Sequence, residues 1–315
     1  MTFKRPQLRK ARTFVNAISA LAVIFSLAAC GGKKSDEQPK PDTTVDLPVI
    51  WTTASLVAPV RDIGISSGYS PLMLVAMDNN QVQMFDLDGE RLTEPSDLGV
   101  KEVSDGYYTD IENIRITLFP AIDNEGSMKL LGFNDVMSEP LALSFPEDLS
   151  GIGGLCTKDD TDGGILELAY WTESDPKTLE IGTLSQDAGE LVWQLERSES
   201  VGGYQTQCLF ETDGSATVST SDDAARLFYD TGNFDLALNE GGLTISSGAD
   251  RSNLYLRPGL SVEAPQSVFA IAAASNVSVG SYPKGLIAVA GPWEDGDHRV
   301  VYVDPSPLLN EESEG

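Results

Sequence analysis

From residue 47 onward the chain is written in short strand-like runs, and no stretch holds a helical period without interruption. Examples are "LMLVAM" (72–77), "QVQMF" (81–85), "IRITLF" (114–119), "ILELAYW" (165–171), "GLIAVA" (285–290) and "RVVYV" (299–303), with Gly, Asp, Asn and Pro between them. Short, evenly spaced strands bounded by turn residues specify an all-β protein. About 260 residues of this pattern suit one large barrel, two sandwiches or a propeller. An internal repeat favours the propeller. "GGLCTKDDTDGGILELAYWTESDPKTLEIGTL" and "TQCLFETDGSATVSTSDDAARLFYDTGNF" share the order Cys, acidic turn with Gly, strand, acidic turn, strand, and their cysteines lie 52 residues apart. That is near the ~40–50 residues of a propeller blade, so the expected fold is an all-β propeller with room for five or six blades.

"LVAMDNNQVQMFDLDGERL" (74–92) tests whether acidic turns carry chemistry. Asp78-Asn79-Asn80 and Asp88-Gly89 supply two turns, since Asn, Asp and Gly accept the backbone conformations that turns need. Counted from Asp86, the sixth and twelfth positions hold Arg91 and Asp97. A calcium-binding helix–loop–helix requires Gly and Glu there, so the stretch reads as a hairpin. Asp159, Asp160 and Asp162 read as a solvated turn for the same reason. His298, the sole histidine, is expected at the surface beside a strand start. No serine-hydrolase elbow, phosphate-binding P-loop or zinc-protease motif occurs.

The first 29 residues read as a leader. Lys4, Arg5, Arg9, Lys10 and Arg12 precede the apolar "FVNAISALAVIFSLAA", which is short for a membrane span. Leu27-Ala28-Ala29-Cys30 resembles the lipobox of bacterial lipoproteins, which implies lipidation of Cys30, and Gly31 implies outer-membrane sorting. "GGKKSDEQPKPDTT" has no apolar side chain and reads as a tether. The expected organisation is leader 1–29, tether 30–46, propeller 47–309 and acidic tail 310–315. Removing the leader takes away five of the 21 basic residues and none of the 48 acidic ones, leaving a net charge of −32. Such a field disfavours nucleic acid and anionic membrane. An anionic ligand would need bound cations to reverse the local sign. In an oxidising envelope Cys156 and Cys208 could pair; spacing alone leaves that open.

Several segments together resemble the β-propeller phytases, calcium-dependent enzymes that release phosphate from inositol hexakisphosphate. "MFDLDGERL" is similar to the family's "VYDLDGKEL", and "TDIENIRITL" to its "NNVDLRY" segment, with Arg115 on the Arg. "YQTQCLFETDGSATVSTSDDAARLFY", "TISSGADRSNLYLR" and "YPKGLIAVAG" follow in the family's order. The resemblance implies a six-bladed propeller, calcium as cofactor, Arg115 as a phosphate contact, and Asp213, Asp222, Asp223 and Glu240 as metal ligands. The departures fall on the same chemistry. Val60 and Arg61 replace an acidic pair, Gln207 and Cys208 a Glu-Gly, Thr220 and Ser221 two Glu, Gln266 and Phe269 two Asp, and Ala290-Gly291 a Gln-Asp. Calcium takes six to eight oxygen ligands, and a chain this acidic needs bound cations to hold phytate. Two functions therefore compete. One is phosphomonoester hydrolysis, weakened, altered or lost; the other is a non-catalytic propeller binding a protein or small ligand at the envelope.

Overall fold

The computed structural model describes residues 43–68, 70–160, 165–202, 206–240, 242–275, 277 and 282–309, with only the backbone at Asp159 and Asp160. The leader, Cys30, most of the tether, Asp162 and the acidic tail lie outside the described residues.

Strand β1 (Thr43–Thr52) comes first in the chain. β2 (Val60–Ile65), β3 (Leu72–Met77), β4 (Gln81–Asp86) and β5 (Ser96–Asp97) form an antiparallel sheet in chain order. β6 (Val100–Val103) and β7 (Tyr107–Ile111) pair with opposite ends of β8 (Ile114–Asp123), which continues through β9 (Met128–Phe133) to β10 (Leu141–Ser144). β11 (Ile152–Asp160), β12 (Ile165–Thr172), β13 (Asp175–Asp187) and β14 (Glu190–Ser200) form the next antiparallel sheet. β15 (Gln207–Phe210) and β16 (Ala216–Ser219) make a two-stranded hairpin among the described residues. β17 (Asp223–Tyr229), β18 (Gly232–Asn239), β19 (Gly242–Ser247) and β20 (Asp250–Arg257) follow, then β21 (Ala270–Ala274), β22 (Leu286–Pro292) and β23 (His298–Val303). β1 bridges these last two groups. Thr43–Pro48 run parallel to β20, and Val49–Thr52 run antiparallel to β23, so the first strand closes the ring.

The fold is a β-propeller. One cavity is bordered by residues of six strands, β2, β6, β11, β15, β17 and β21, and hydrogen bonding groups the strands into five sheets because β1 joins two of them. The period-2 patterns of the sequence supply the faces by which successive sheets pack. Five apolar clusters lie between neighbours. Leu74 and Met84 meet Phe119 and Leu131; Leu118 and Leu130 meet Leu168 and Leu184; Trp171 and Ile181 meet Cys208 and Phe210; Leu227 and Leu236 meet Ile287 and Val301; Ala288 and Tyr302 meet Ile63 and Val75. The joint between hairpin β15–β16 and sheet β17–β20 has no such cluster among the described residues. A buried Arg226 fastens it instead. Its guanidinium donates to the Phe210 carbonyl and pairs with Glu211 of the hairpin and Asp235 of β18.

Among the described residues, Thr43–Asp46, which fall in the stretch expected to be tether, pair with β20. The second copy of the internal repeat is split. "DDAARLFY" stands where the first copy has β13, yet it forms β17 and begins a new sheet. Asp222 N donates to Leu238 O at 2.8 Å, and Asp223–Tyr229 pair with β18 rather than with the four-residue β16.

Candidate functional site

The central cavity has a volume of about 390 Å³, inside the range of small-ligand sites. Its wall is the inner strands of the propeller, fastened to one another by side chains. Asp62 on β2 accepts from its neighbour Ile63 N and, across to β6, from Val103 N, both at 2.8 Å. Asp105, just past β6, accepts from Ile65 N at 2.8 Å. Glu102 on β6 accepts from Leu155 N of β11 at 3.1 Å. β11 is joined to β15 by the Cys156–Cys208 disulfide, with Cα atoms 5.6 Å apart. Asp223 on β17 accepts from Ala224 N and from Ile271 N of β21, both at 2.7 Å. The approach of β2 to its neighbour is close enough to need a glycine, since a Cβ at Gly64 would lie 2.4 Å from Ser104 O.

Burial sets the charge state of Asp62, Glu102 and Asp223. Desolvation, with Asp62 nearby, pushes Glu102 up to about 8. Desolvation outweighs two backbone hydrogen bonds and lifts Asp223 to about 7. Asp62 is raised well above the ordinary carboxylate range, first by desolvation and then by Asp223. The two cations on the cavity wall are committed elsewhere. Arg226 is held as described above, and Lys158 donates to the carbonyls of Glu211 and Thr212 and pairs with Glu167 at 3.6 Å. Ser67 also lines the cavity; it is 4% exposed and its Oγ has no hydrogen-bond partner.

The residues singled out from the sequence are dispersed. Of the four metal candidates, Asp223 alone borders the cavity. Asp213 sits in the β15–β16 turn, where the hydroxyl and amide of Ser215 bond its carboxylate at 2.6 and 3.0 Å and hold it below its usual range. Asp222 is exposed just before β17, and Glu240 is exposed in the turn after β18. Among the described residues no group of three or more His, Cys, Asp or Glu is placed to hold a metal ion. The donor set that the phytase resemblance implies is therefore not assembled, and no chemical step is derived through calcium. Arg115 is exposed on β8, opposite Asp110 in the β7–β8 register, and shares a recess with Asp110 and Glu112. Those carboxylates oppose a phosphate there. Asp86 serves its turn, with Oδ1 accepting from Asp88 N at 3.0 Å and Glu90 N at 2.8 Å. His298 is a partly buried strand residue rather than a surface one. Its carbonyl accepts from Leu56 N at 2.8 Å and its Nδ1 is buried without a partner.

Sequence reasoning missed Asp62, Glu102, Asp105 and Ser67. The available signal was an acid inside otherwise apolar inner strands, as in "VRDIGI", where attention to the lost pair at Val60 and Arg61 passed over Asp62.

No protein-family model and no curated protein matches the chain. Among solved structures, AofleA from Arthrobotrys oligospora is 9% identical, with a TM-score of 0.44 over 81% of this chain and 90% of that one. Raptor from Chaetomium thermophilum is 10% identical, with a TM-score of 0.45 over 81% of this chain and 29% of that one. The exo-beta-1,3-galactanase from Phanerochaete chrysosporium is 10% identical, with a TM-score of 0.41 over 82% of this chain and 65% of that one. At these values the β-propeller assignment rests on the strand arrangement of the chain itself.

Proposed function

We propose that the protein is a lipid-anchored propeller of the bacterial envelope that binds a small ligand in its central cavity and does not turn over phosphate esters. The observation that carries this reading is the dispersal of Asp213, Asp222, Asp223 and Glu240 beside a cavity already formed by the inner strands. Phosphoryl transfer is catalysed almost wholly by positioning and by positive charge on the phosphoryl oxygens. Here the cavity carboxylates outnumber the cations, and both cations are engaged with other protein groups. Ligand binding at a shaped, mixed polar and apolar cavity asks for no metal cluster. The leader, Cys30 and the tether support an acylated protein held near a membrane, and the net negative charge supports a partner other than nucleic acid.

Two measurements test the reading. The mature chain is expected to release no phosphate from phytate with millimolar calcium beyond the rate with chelator; calcium-dependent release would restore the hydrolase. A set of small molecules of every charge, screened by thermal shift, is expected to contain stabilising compounds. Their effect should vanish in Ala272→Trp, which fills the cavity from β21. A set with no stabilising member, or stabilisation indifferent to that substitution, would remove the cavity from the function. For the anchor, Cys30→Ser is expected to release the protein from the membrane fraction.

A further inference from the structure

We propose that two copies of the chain associate by pairing β14 with β14, edge to edge. The inference rests on that outer strand alone and stands apart from the cavity. The open backbone of an outer strand is a template for another strand, and folded proteins blunt such edges by keeping them short or covering them. This ring does so at its other outer strands. β5 has two residues, β10 four and β16 four, and β20 and β23 are both covered by β1. β14 has eleven residues, and among the described residues it pairs with β13 alone. Strands average about 5–6 residues, so this edge is both long and open.

The occupant is read from the strand's own side chains. Its first six residues, Glu190–Leu195, run to a bulge at Glu196, where the register with β13 slips. "ELVWQL" carries one charge and no Pro or Gly, a composition suited to pairing with copies of itself. An antiparallel ladder with its twofold axis at Val192 sets Val192 against Val192 of the second copy, Leu191 against Trp193, and Glu190 against Gln194. Each pair is apolar with apolar or carboxylate with amide. An axis at Trp193 would instead set Glu190 against Glu196, and like charges directly opposite are unfavourable. Val192 is 40% exposed and is covered by its copy in this ladder. Leu191 and Trp193, which pack on the apolar cluster between β8 and β12, extend that cluster across the joint. A strand of another protein would meet the same open backbone, but the side-chain match is with this chain. The acidic surface opposes association at long range, and physiological salt screens that repulsion beyond about 8 Å.

The test is sedimentation equilibrium at physiological salt, from micromolar to hundreds of micromolar, of the chain from Cys30 carrying Cys30→Ser, which leaves no acyl group to drive association. A monomer–dimer equilibrium is expected. Val192→Lys sets like charges opposite each other and is expected to weaken the dimer about tenfold or more. Gln194→Lys is expected to tighten it about fivefold, because an ammonium then faces Glu190 twice in each dimer. Gln266→Lys, exposed in the loop before β21, adds the same charge outside the joint and should leave affinity nearly unchanged. Val192→Cys is expected to cross-link the dimer on oxidation. Circular dichroism verifies that each variant is folded, and Gln194→Lys with the Val192→Cys cross-link keeps the test decisive if Val192→Lys is not. A monomer at every concentration overturns the proposal. So does a dimer indifferent to Val192→Lys, which places association on another surface. Equal tightening by Gln194→Lys and Gln266→Lys also overturns it, since net charge alone would then account for the effect.

Discussion

Glu102 shows how one residue couples the charge of the cavity to the stability of the ring. Its carboxyl is raised from 4.5 to about 8, chiefly by desolvation. The folded state therefore holds a proton that the unfolded chain releases near pH 4.5. Stability is favoured where the folded state binds more protons and falls as the pH rises through that window. The contribution is complete below about pH 4.5 and is lost on approaching pH 8; Asp223, raised to about 7, acts with the same sign. The expected outcome is a melting temperature that declines from pH 5 to pH 8, corresponding to a few kcal/mol. Glu102→Gln should flatten part of that decline, whereas a parallel decline in parent and variant would show that Glu102 does not carry it. Arg226 is the counterpart on the opposite side of the short hairpin. Its side chain is 7% exposed and those of Glu211 and Asp235 are 30% and 37% exposed, so solvent screens part of the pairing. Arg226→Met is expected to cost about 2 kcal/mol, from the unpaired acids and the orphaned Phe210 carbonyl, as read by chemical denaturation. A change within a few tenths of a kcal/mol would mean that the polar joint carries little of the stability.

At the scale of elements, the hairpin β15–β16 is the weak piece. Isolated two-stranded hairpins are marginal in water, and among the described residues this one carries no outer strands, unlike its neighbours. The disulfide to β11 compensates, closing a loop of 52 residues between Cys156 and Cys208. The chain-entropy account puts that closure at about 4 kcal/mol. Cys156→Ser with Cys208→Ser is expected to lower stability by up to that amount and to open the turn around Asp213 to proteolysis before the rest of the chain. Unchanged protection of that turn would show that packing of Phe210 and Ala216 suffices. Sequence and structure agree best where strands are long and periodic. "LMLVAM" and "QVQMF" are β3 and β4, and "RVVYV" lies in β23, because alternation and flanking turns are local properties. Assignment of strands to sheets was less legible. "DDAARLFY" has the same local pattern as β13, and only its pairing with β18 sends it to a new sheet. The cavity was less legible still. Asp62, Glu102 and Asp223 are far apart in sequence, and their shifted acidities come from burial created by closure of the ring. The resemblance to phytases directed attention to turn residues such as Asp213 and Glu240, which the fold leaves at the periphery.

Closure of the whole molecule depends on β1. A propeller ring has no covalent joint, so some strand must bind both ends of the chain, and Thr43–Thr52 do so through two different ladders. The first half lies parallel to β20, the second antiparallel to β23, and Pro48, without an N–H, stands at the changeover. Leu47 and Val49 are fully buried in the cluster shared by β17–β20 and β21–β23. Burying two such side chains contributes about 3 to 6 kcal/mol. The ten-residue strand also satisfies backbone groups that would otherwise leave two edges of apolar sheets open. That sum is a large share of the 5–15 kcal/mol that holds a domain together. A chain starting at Thr53 is therefore expected to lose cooperative melting or to aggregate. A chain starting at Thr43 should melt as one starting at Cys30 does, since the tether's composition gives it no apolar side chain to bury. A start at Leu47 keeps both buried side chains but loses the Thr43–Asp46 pairs to β20, and should fall between the two. Calorimetric melting of the three chains decides the matter. Equal transitions for the Thr43 and Thr53 chains would show that the ring closes without its first strand.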